Sequence, residues 1–422
     1  MALSPSRVVR RTALVVAALV TTAVTATASP ALAAPTPKPA PSASPTLPRV
    51  TESLDPARSV GGPRLAEMNS VIVDTPAGVP APPAIRDVAW LLADADTGEV
   101  IAAKNPHAHL LPASTLKTLT AIHLLPRIPP KTILKATSTE ANAEGTRVGM
   151  VAGATYSAGQ LFQALVMSSA NDAAYGLATL NGGLDKTVTE LNALADELGA
   201  HDTVVADPSG LDAAGQHSSA YDLALFGRAA IAMPAYVKLA TTKSAKFPAE
   251  AARASRSRSS YAIGNHNRLL WNYPGTIGVK NGFTKAAHRT FIGAATRGGK
   301  TYIVTEMYGT ESSSWRPAAS LLDWAFAHGD VARPVGRLVD RGEKVSAASV
   351  QEAPATGTPA ASTNALDAVP APEPSGPPAV AAASLTTPTG AVPPSLIALA
   401  AGAALLLCLA WLLSVRRRGK HH

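Results

Sequence analysis

Cysteine is all but missing from this sequence of 422 residues. The single one, Cys408, lies in an apolar run near the C-terminus, so the rest of the chain can form no internal disulfide. Charge is sparse as well, at 16% of residues. The net charge of +8 invites a nucleic-acid reading, but seven positives sit at the two ends: Arg7, Arg10 and Arg11, then Arg416, Arg417, Arg418 and Lys420. Neither end carries an acid, which leaves residues 35–415 at only +1. A body with so little surplus charge excludes the basic face that nucleic acid requires. Glycine-rich phosphate loops and basic-aromatic stripes are lacking too. His266 and His288 have no ligand-like spacing with acids or a second histidine, so neither a metal nor a cofactor is expected.

What the ends do have is hydrophobic sequence. "RVVRRTALVVAALVTTAVTATASPALAA" joins a basic start to a short apolar core and a small-residue stop. It predicts a signal peptide over 1–34, cut near Ala33 or Ala34. The residues around Arg10-Arg11 fit twin-arginine export poorly, so general secretion is expected. "SLIALAAGAALLLCLAWLLSV" runs about twenty residues without charge and is followed at once by "RRRGK". Such a run crosses the hydrocarbon of a bilayer, and the basic cluster after it favours the cytoplasmic side. A transmembrane helix is therefore predicted over 394–415 and a cytoplasmic tail over 416–422. The expected product is a single-pass protein of the cell membrane with its body outside the cell.

Proline, alanine and serine dominate residues 35–83 and again 345–393 ("PAPEPSGPPAVAAASLTTPTG"). Neither stretch has a period that buries a core, so both read as exposed, disordered linkers. Between them, residues 84–344 make one domain of ordinary size. "VAWLLADADTGEVIAAKN" predicts a hairpin around Asp96-Thr97-Gly98. A helical middle follows: 114–125, "AGQLFQALVMSSANDAAYGLATL", "KTVTELNALADELGA" and "SSAYDLALFGRAAIA". Strand patterns return in "TIGVKNGFT" and "RTFIGAATRGGKTYIVTEMYG", and "PAASLLDWAFAHG" closes the domain as a helix. Strands from both ends of a domain with helices between them imply an α/β (α+β) fold: an antiparallel sheet of about five strands, flanked by helices, beside a helical lobe.

Within that helical middle, "LLPASTLKTLTAIHLL" sets Ser114 three residues ahead of Lys117. Positions three apart share a helix face, so hydroxyl and amine come within reach of each other. A serine attacks well only if a base takes its proton, and a lysine is such a base only when desolvation or a nearby cation lowers its pKa. Ser-x-x-Lys alone is a common accident. Two further pieces follow in order: Ser169-Ala170-Asn171 at a helix–loop junction, and Lys280-Asn281-Gly282 in a late strand. The set resembles the signature of penicillin-recognising serine enzymes, Ser-x-x-Lys, Ser-x-Asn and Lys-[Ser/Thr]-Gly, in the same order.

The flanks "PASTLKTLTA", "SANDAA", "LNALADELGAHDT", "DPSGLDAAGQHSSAYDLA", "NHNRLLW" and "GVKNGFTKAAHRTFIGAA" resemble the D-alanyl-D-alanine carboxypeptidases, the low-molecular-mass penicillin-binding proteins. The resemblance runs through nearly all of residues 85–330. It implies a DD-peptidase/β-lactamase-like fold, removal of the terminal D-alanine from peptidoglycan stem peptides, and covalent trapping by β-lactams. It further implies Ser114 as nucleophile, Lys117 as its base, Ser169 as proton relay and Asn171 as the holder of Lys117 and the substrate amide. Lys280 would add positive potential that keeps Lys117 neutral and attracts the substrate carboxylate. The backbone N–H groups of Ser114 and Phe283, after Gly282, would form the oxyanion hole. Arg316 would meet the terminal carboxylate.

Asn281 departs from the family, which has Thr or Ser there, and Thr284 is the candidate source of the missing hydroxyl. Too little sequence follows residue 330 for the β-domain that many relatives carry. A β-lactamase would share the nucleophile, but "VTELN" has Val188 where a class A deacylating glutamate would stand. A penicillin sensor that kept the fold and lost turnover is the other alternative, with Asn281 as its only support.

Overall fold

The computed structural model describes residues 47–249 and 258–343. The predicted signal peptide, the second linker, the transmembrane helix and the basic tail lie outside them. Among the described residues no single helix is long and apolar enough to cross a membrane.

The chain enters through a short strand, β1 (Val71–Val73), and then forms the expected hairpin, β2 (Asp87–Asp94) and β3 (Glu99–Lys104). A 3-10 turn, Ala113–Leu116, runs into α1 (Lys117–Leu124). The helical lobe follows: β4 (Ile133–Lys135), α2 (Ser138–Ala141), β5 (Thr155–Ser157), α3 (Ala158–Met167), α4 (Asn171–Leu180), α5 (Leu184–Glu197), α6 (Ala220–Ile231) and α7 (Pro234–Thr241). A second hairpin, β6 (Ser244–Pro248) and β7 (Ser260–Gly264), leads through α8 (Leu269–Asn272) back to the sheet. There β8 (Thr276–Thr284), β9 (His288–Arg297) and β10 (Lys300–Gly309) meander. They are closed by α9 (Trp315–His328) and a two-residue strand, β11 (Gly336–Arg337).

Five long strands lie in the order β3-β2-β10-β9-β8, every pair antiparallel, as the alternation of predicted strands implied. Strand β2, flanked by β3 and β10, is buried along its whole length. Its side chains alternate between two cores: Ala89, Leu91 and Ala93 face the helical lobe, while Trp90 and Leu92 face α9. Helix α9 answers with Ala318, Leu321, Leu322 and Ala325, one apolar stripe at helical spacing. Each leucine so buried contributes roughly 1.5–3 kcal/mol. The lobe is framed by capping boxes, Ser157 with Gln160 at the start of α3 and Thr137 with Glu140 at the start of α2.

One boundary is corrected. Residues 47–83, expected as part of a disordered linker, pack against the domain. Strand β1 pairs with β3 through Val71–Lys104 and Val73–Ala102, and Leu65 and Ile72 enter the core. The indole of Trp324 donates to the Pro80 carbonyl at 2.8 Å. The reason is that β3 offers an open edge, and on such an edge a few apolar residues suffice where they could not support a core alone.

Candidate active site

The nucleophile candidate is held in a turn that the local sequence would not adopt unaided. Ala113 sits at φ +47, a left-handed backbone costly for a residue with a Cβ, so its surroundings must impose it. They do so from three sides. The Thr115 and Thr290 hydroxyls both donate to the Pro112 carbonyl, at 2.5 and 2.8 Å. A Cβ on Gly210 would lie 2.0 Å from the Ala113 oxygen, and one on Gly282 would lie 2.8 Å from the Ser114 nitrogen. Only glycine permits either approach. Strand β8, which also carries Phe283, thus passes directly against the backbone N–H of Ser114.

From this turn, Lys117 Nζ comes within 2.9 Å of Ser114 Oγ. The amine also donates to Asn171 Oδ1 and to the Ser209 carbonyl, both at 2.6 Å. Lys117 is buried. Burial brings its pKa down to about 7, while the charges of Asp207 and Asp172 pull it back up. A lysine near pH 7 can be neutral often enough to accept a proton.

Asn171 is oriented by the chain around it. Its amide nitrogen donates to the Glu144 carbonyl at 2.6 Å, so its oxygen is the end turned to Lys117. Asp172, beside it, accepts from the backbone N–H groups of Val148 and Met150 at 3.2 and 3.0 Å and so pins the loop that supplies the Glu144 carbonyl. Ser169 lies in the break between α3 and α4, again left-handed at φ +61. Its hydroxyl makes no hydrogen bond to protein among the described residues, which leaves it free for a proton in transit.

Lys280 is buried in mid-β8 and donates to the Asn281 carbonyl at 2.7 Å. Burial first, and the charge of Lys117 second, hold it well below the usual lysine range. Burial is the leading cause for both amines, and the two charges repel each other. Asn281 is half-buried, its amide without a protein partner among the described residues. Thr284 does not supply a spare hydroxyl: it donates to Asp212 Oδ1 and accepts from the Ala287 N–H, both at 2.9 Å. It clasps the end of β8 to the loop after Gly210.

Phe283 is exposed at 59%, with the Arg289 guanidinium 5.6 Å from its ring centre. Arg316, in the first turn of α9, is exposed over Trp315 at 5.5 Å, with no contact to Ser114, Lys117 or Lys280 among the described residues. His266 donates its backbone N–H to the Met167 carbonyl at 2.8 Å, and burial and the Lys280 charge lower its pKa. His288 stacks against Tyr308 at 4.2 Å. Among the described residues, no three His, Cys, Asp or Glu side chains gather as metal ligands would.

The sequence reading missed Ser209, whose carbonyl grips Lys117, and Asp207, which shapes its loop. Both lie in "DPSGLDAAGQHSSAYDLA", a stretch used there only for its resemblance. A cavity of about 830 Å³ lies elsewhere, beyond the C-terminal end of α1 against α5 and α6. At its rim Arg228 pairs with Asp340 and Arg341 with Glu197, and none of Ser114, Lys117, Ser169, Asn171 or Lys280 lines it.

A family model described as D-alanyl-D-alanine carboxypeptidase matches residues 77–310. The D-alanyl-D-alanine carboxypeptidase DacB2 of Mycobacterium tuberculosis is 40% identical over 244 residues, covering 56% of this chain and 81% of that protein. A crystal structure of a D-alanyl-D-alanine carboxypeptidase from the same species superposes with a TM-score of 0.59 at 39% identity, covering 63% of this chain and 99% of that one. A Streptomyces DD-transpeptidase superposes at 0.55 with 25% identity, covering 59% of this chain and all of its own.

Proposed function

The chain belongs to the D-alanyl-D-alanine carboxypeptidase family of serine hydrolases, and from that premise we propose that it removes the terminal D-alanine of peptidoglycan stem peptides through an acyl-enzyme on Ser114. The observation that carries the reading is the 2.9 Å contact between Ser114 Oγ and a buried Lys117 Nζ.

In the proposed cycle, neutral Lys117 accepts the Ser114 proton as Oγ attacks the carbonyl carbon of the penultimate D-alanine. The oxyanion is met by the backbone N–H groups of Ser114 and Phe283, fixed donors that need no reorganisation. As the tetrahedral centre collapses, the C–N bond breaks and the leaving amine takes the proton back through Ser169. Water, deprotonated by Lys117, then attacks the ester carbonyl, and Lys117 returns that proton to Ser114 Oγ as the acyl C–O bond breaks. A β-lactam would follow the first half: Oγ opens the four-membered ring, and the amine formed stays tethered where the water must enter. Asn171 would hold the substrate amide, Lys280, Asn281 and Gly282 the substrate along β8, and Arg316 its carboxylate. The proposal includes export by the signal peptide and anchoring by the C-terminal apolar run, which would hold the enzyme at the outer face of the cell membrane.

The test is D-alanine release from a stem peptide ending in D-Ala-D-Ala, beside Ser114→Ala. Release is expected from the wild type and none above background from the variant. A Ser114→Ala protein still labelled covalently by penicillin would overturn the nucleophile assignment.

A further inference from the structure

The loop that offers the Ser209 carbonyl to Lys117 is organised around one carboxylate. Asp207 Oδ1 accepts from the Ser209 N–H at 2.7 Å and from the Ser209 hydroxyl at 2.5 Å. Its Oδ2 accepts from the Tyr175 hydroxyl at 2.7 Å, which ties the loop to α4. The Asp207 N–H donates to Gln216 Oε1 at 2.9 Å, and Gln216 Nε2 donates to the Leu211 carbonyl at 2.6 Å, closing the turn on its far side. The carbonyl that Lys117 grips is thus two residues from a carboxylate whose every partner is part of this turn or of its anchor.

We infer that Asp207 is a positioning residue for the proposed reaction: it fixes the Ser209 carbonyl against Lys117, and its negative charge sets the proton affinity of that amine. The inference rests on the reading of Lys117 as the base. The other charged or titratable groups facing the amine do different work. Asp172, from α4, is occupied by the N–H groups of Val148, Met150 and Ala173. Lys280, from β8, is turned to the Asn281 carbonyl, with His266 behind it. Ser114 shares the turn of Lys117, and the Glu144 charge bears on Tyr175.

Two directions agree with this placement. Asp207 is the first of the charges that offset the burial of Lys117. The Tyr175 phenol is pushed up to about 12 by burial and by its bond to Asp207, as a donor to a carboxylate anion should be. Asp207 restores part of the basicity without exposing the amine to water.

Asp207→Asn separates the two roles, because it keeps an acceptor oxygen for Ser209 and removes the charge. In the full-length protein, the Lys117 amine is titrated by NMR of isotope-labelled lysine side chains, with Lys117→Ala to assign it. Acylation of Ser114 by benzylpenicillin is followed across pH by intact mass. The expected result is that the Lys117 midpoint and the acid limb of acylation both move down by about one pH unit. The plateau rate should fall about threefold as the base weakens. Ser209→Ala, which loses the hydroxyl bond but keeps the charge, should leave the midpoint in place. An unmoved midpoint in Asp207→Asn, or an equal move in Ser209→Ala, overturns the inference. A wild type that is not acylated at any pH would instead sink the Ser114–Lys117 reading, and the NMR midpoint would still decide the role of Asp207.

Discussion

Replacing Gly282 by alanine puts one carbon where the structure has no room for it. The new Cβ would stand 2.8 Å from the Ser114 nitrogen, 3.0 Å from that of Thr115 and 2.4 Å from the Thr290 hydroxyl oxygen. Non-bonded contacts of this kind settle near 3.5 Å, so the shortfalls are about 0.7, 0.5 and 1.1 Å. The Thr290 contact is with a side chain, but that hydroxyl also holds the Pro112 carbonyl at 2.8 Å, so turning it away frees the nucleophile turn. The other two contacts are backbone and can be relieved only by parting β8 from the turn. Overpacking of this sort costs about 1–3 kcal/mol of stability. A displacement of half an ångström or more at the nucleophile should slow acylation roughly a hundredfold. The assay is the rate of benzylpenicillin acylation with a melting curve beside it. The double variant Gly282→Ala with Thr290→Ala should recover part of the stability and little of the rate, because the Ser114 contact persists. Wild-type acylation by Gly282→Ala would refute the close approach.

Two other outcomes follow from features away from that contact. Asn281→Thr restores the hydroxyl usual in the family next to a buried Lys280, and KM for a D-Ala-D-Ala peptide should fall about threefold to tenfold with kcat less changed; a raised KM would show that the amide is the better partner. Asp87 and Glu306 form a buried carboxyl pair, each with an oxygen left without a partner, and burial raises both, Asp87 to about 7. A carboxyl raised on folding is protonated in the fold and ionised in the unfolded chain above pH ~4, so stability should decline as pH rises from there, through about 7 for Asp87 and further while Glu306 stays protonated. Glu306→Gln removes one of the two titrating carboxyls and should flatten that decline; melting temperatures at about pH 6 and 9 that fall as steeply in the variant would refute the assignment of the decline to this pair.

The chemistry was legible where spacing alone creates it. Ser114 and Lys117 meet because three residues make a turn, and the Ser169-Ala170-Asn171 junction is marked by a helix that stops and restarts. Strands β2, β9 and β10 announced themselves by apolar runs buried on both faces. What stayed hidden depends on distant backbone. The carbonyl of Ser209 has no side-chain signature, and it reaches Lys117 across 92 positions. Thr284 looked like a free hydroxyl because the Asp212 that engages it lies 72 residues away. The β6–β7 hairpin and β1 were missed for the same reason, since short strands of mixed composition become strands only when a partner edge exists. Proline-rich composition likewise concealed Leu65 and Ile72, two apolar residues that matter only beside β3.

The packing of residues 47–83 bears on how a body without cysteine keeps its sheet edge closed. Strands β1 and β11 lie end to end on the outer edge of β3, and Arg337 of β11 also donates its N–H to the Gly61 carbonyl. An open edge would invite strand pairing with neighbouring molecules, and here the chain's own beginning occupies it. The leading segment thus does what a crosslink does in many secreted domains: it ties one end of the fold to the other. A cut within 60–73 would strip the edge, withdraw Leu65 and Ile72 from the core and leave the sheet adhesive. Preparations of the catalytic body should therefore begin before residue 47, not at the start of β2.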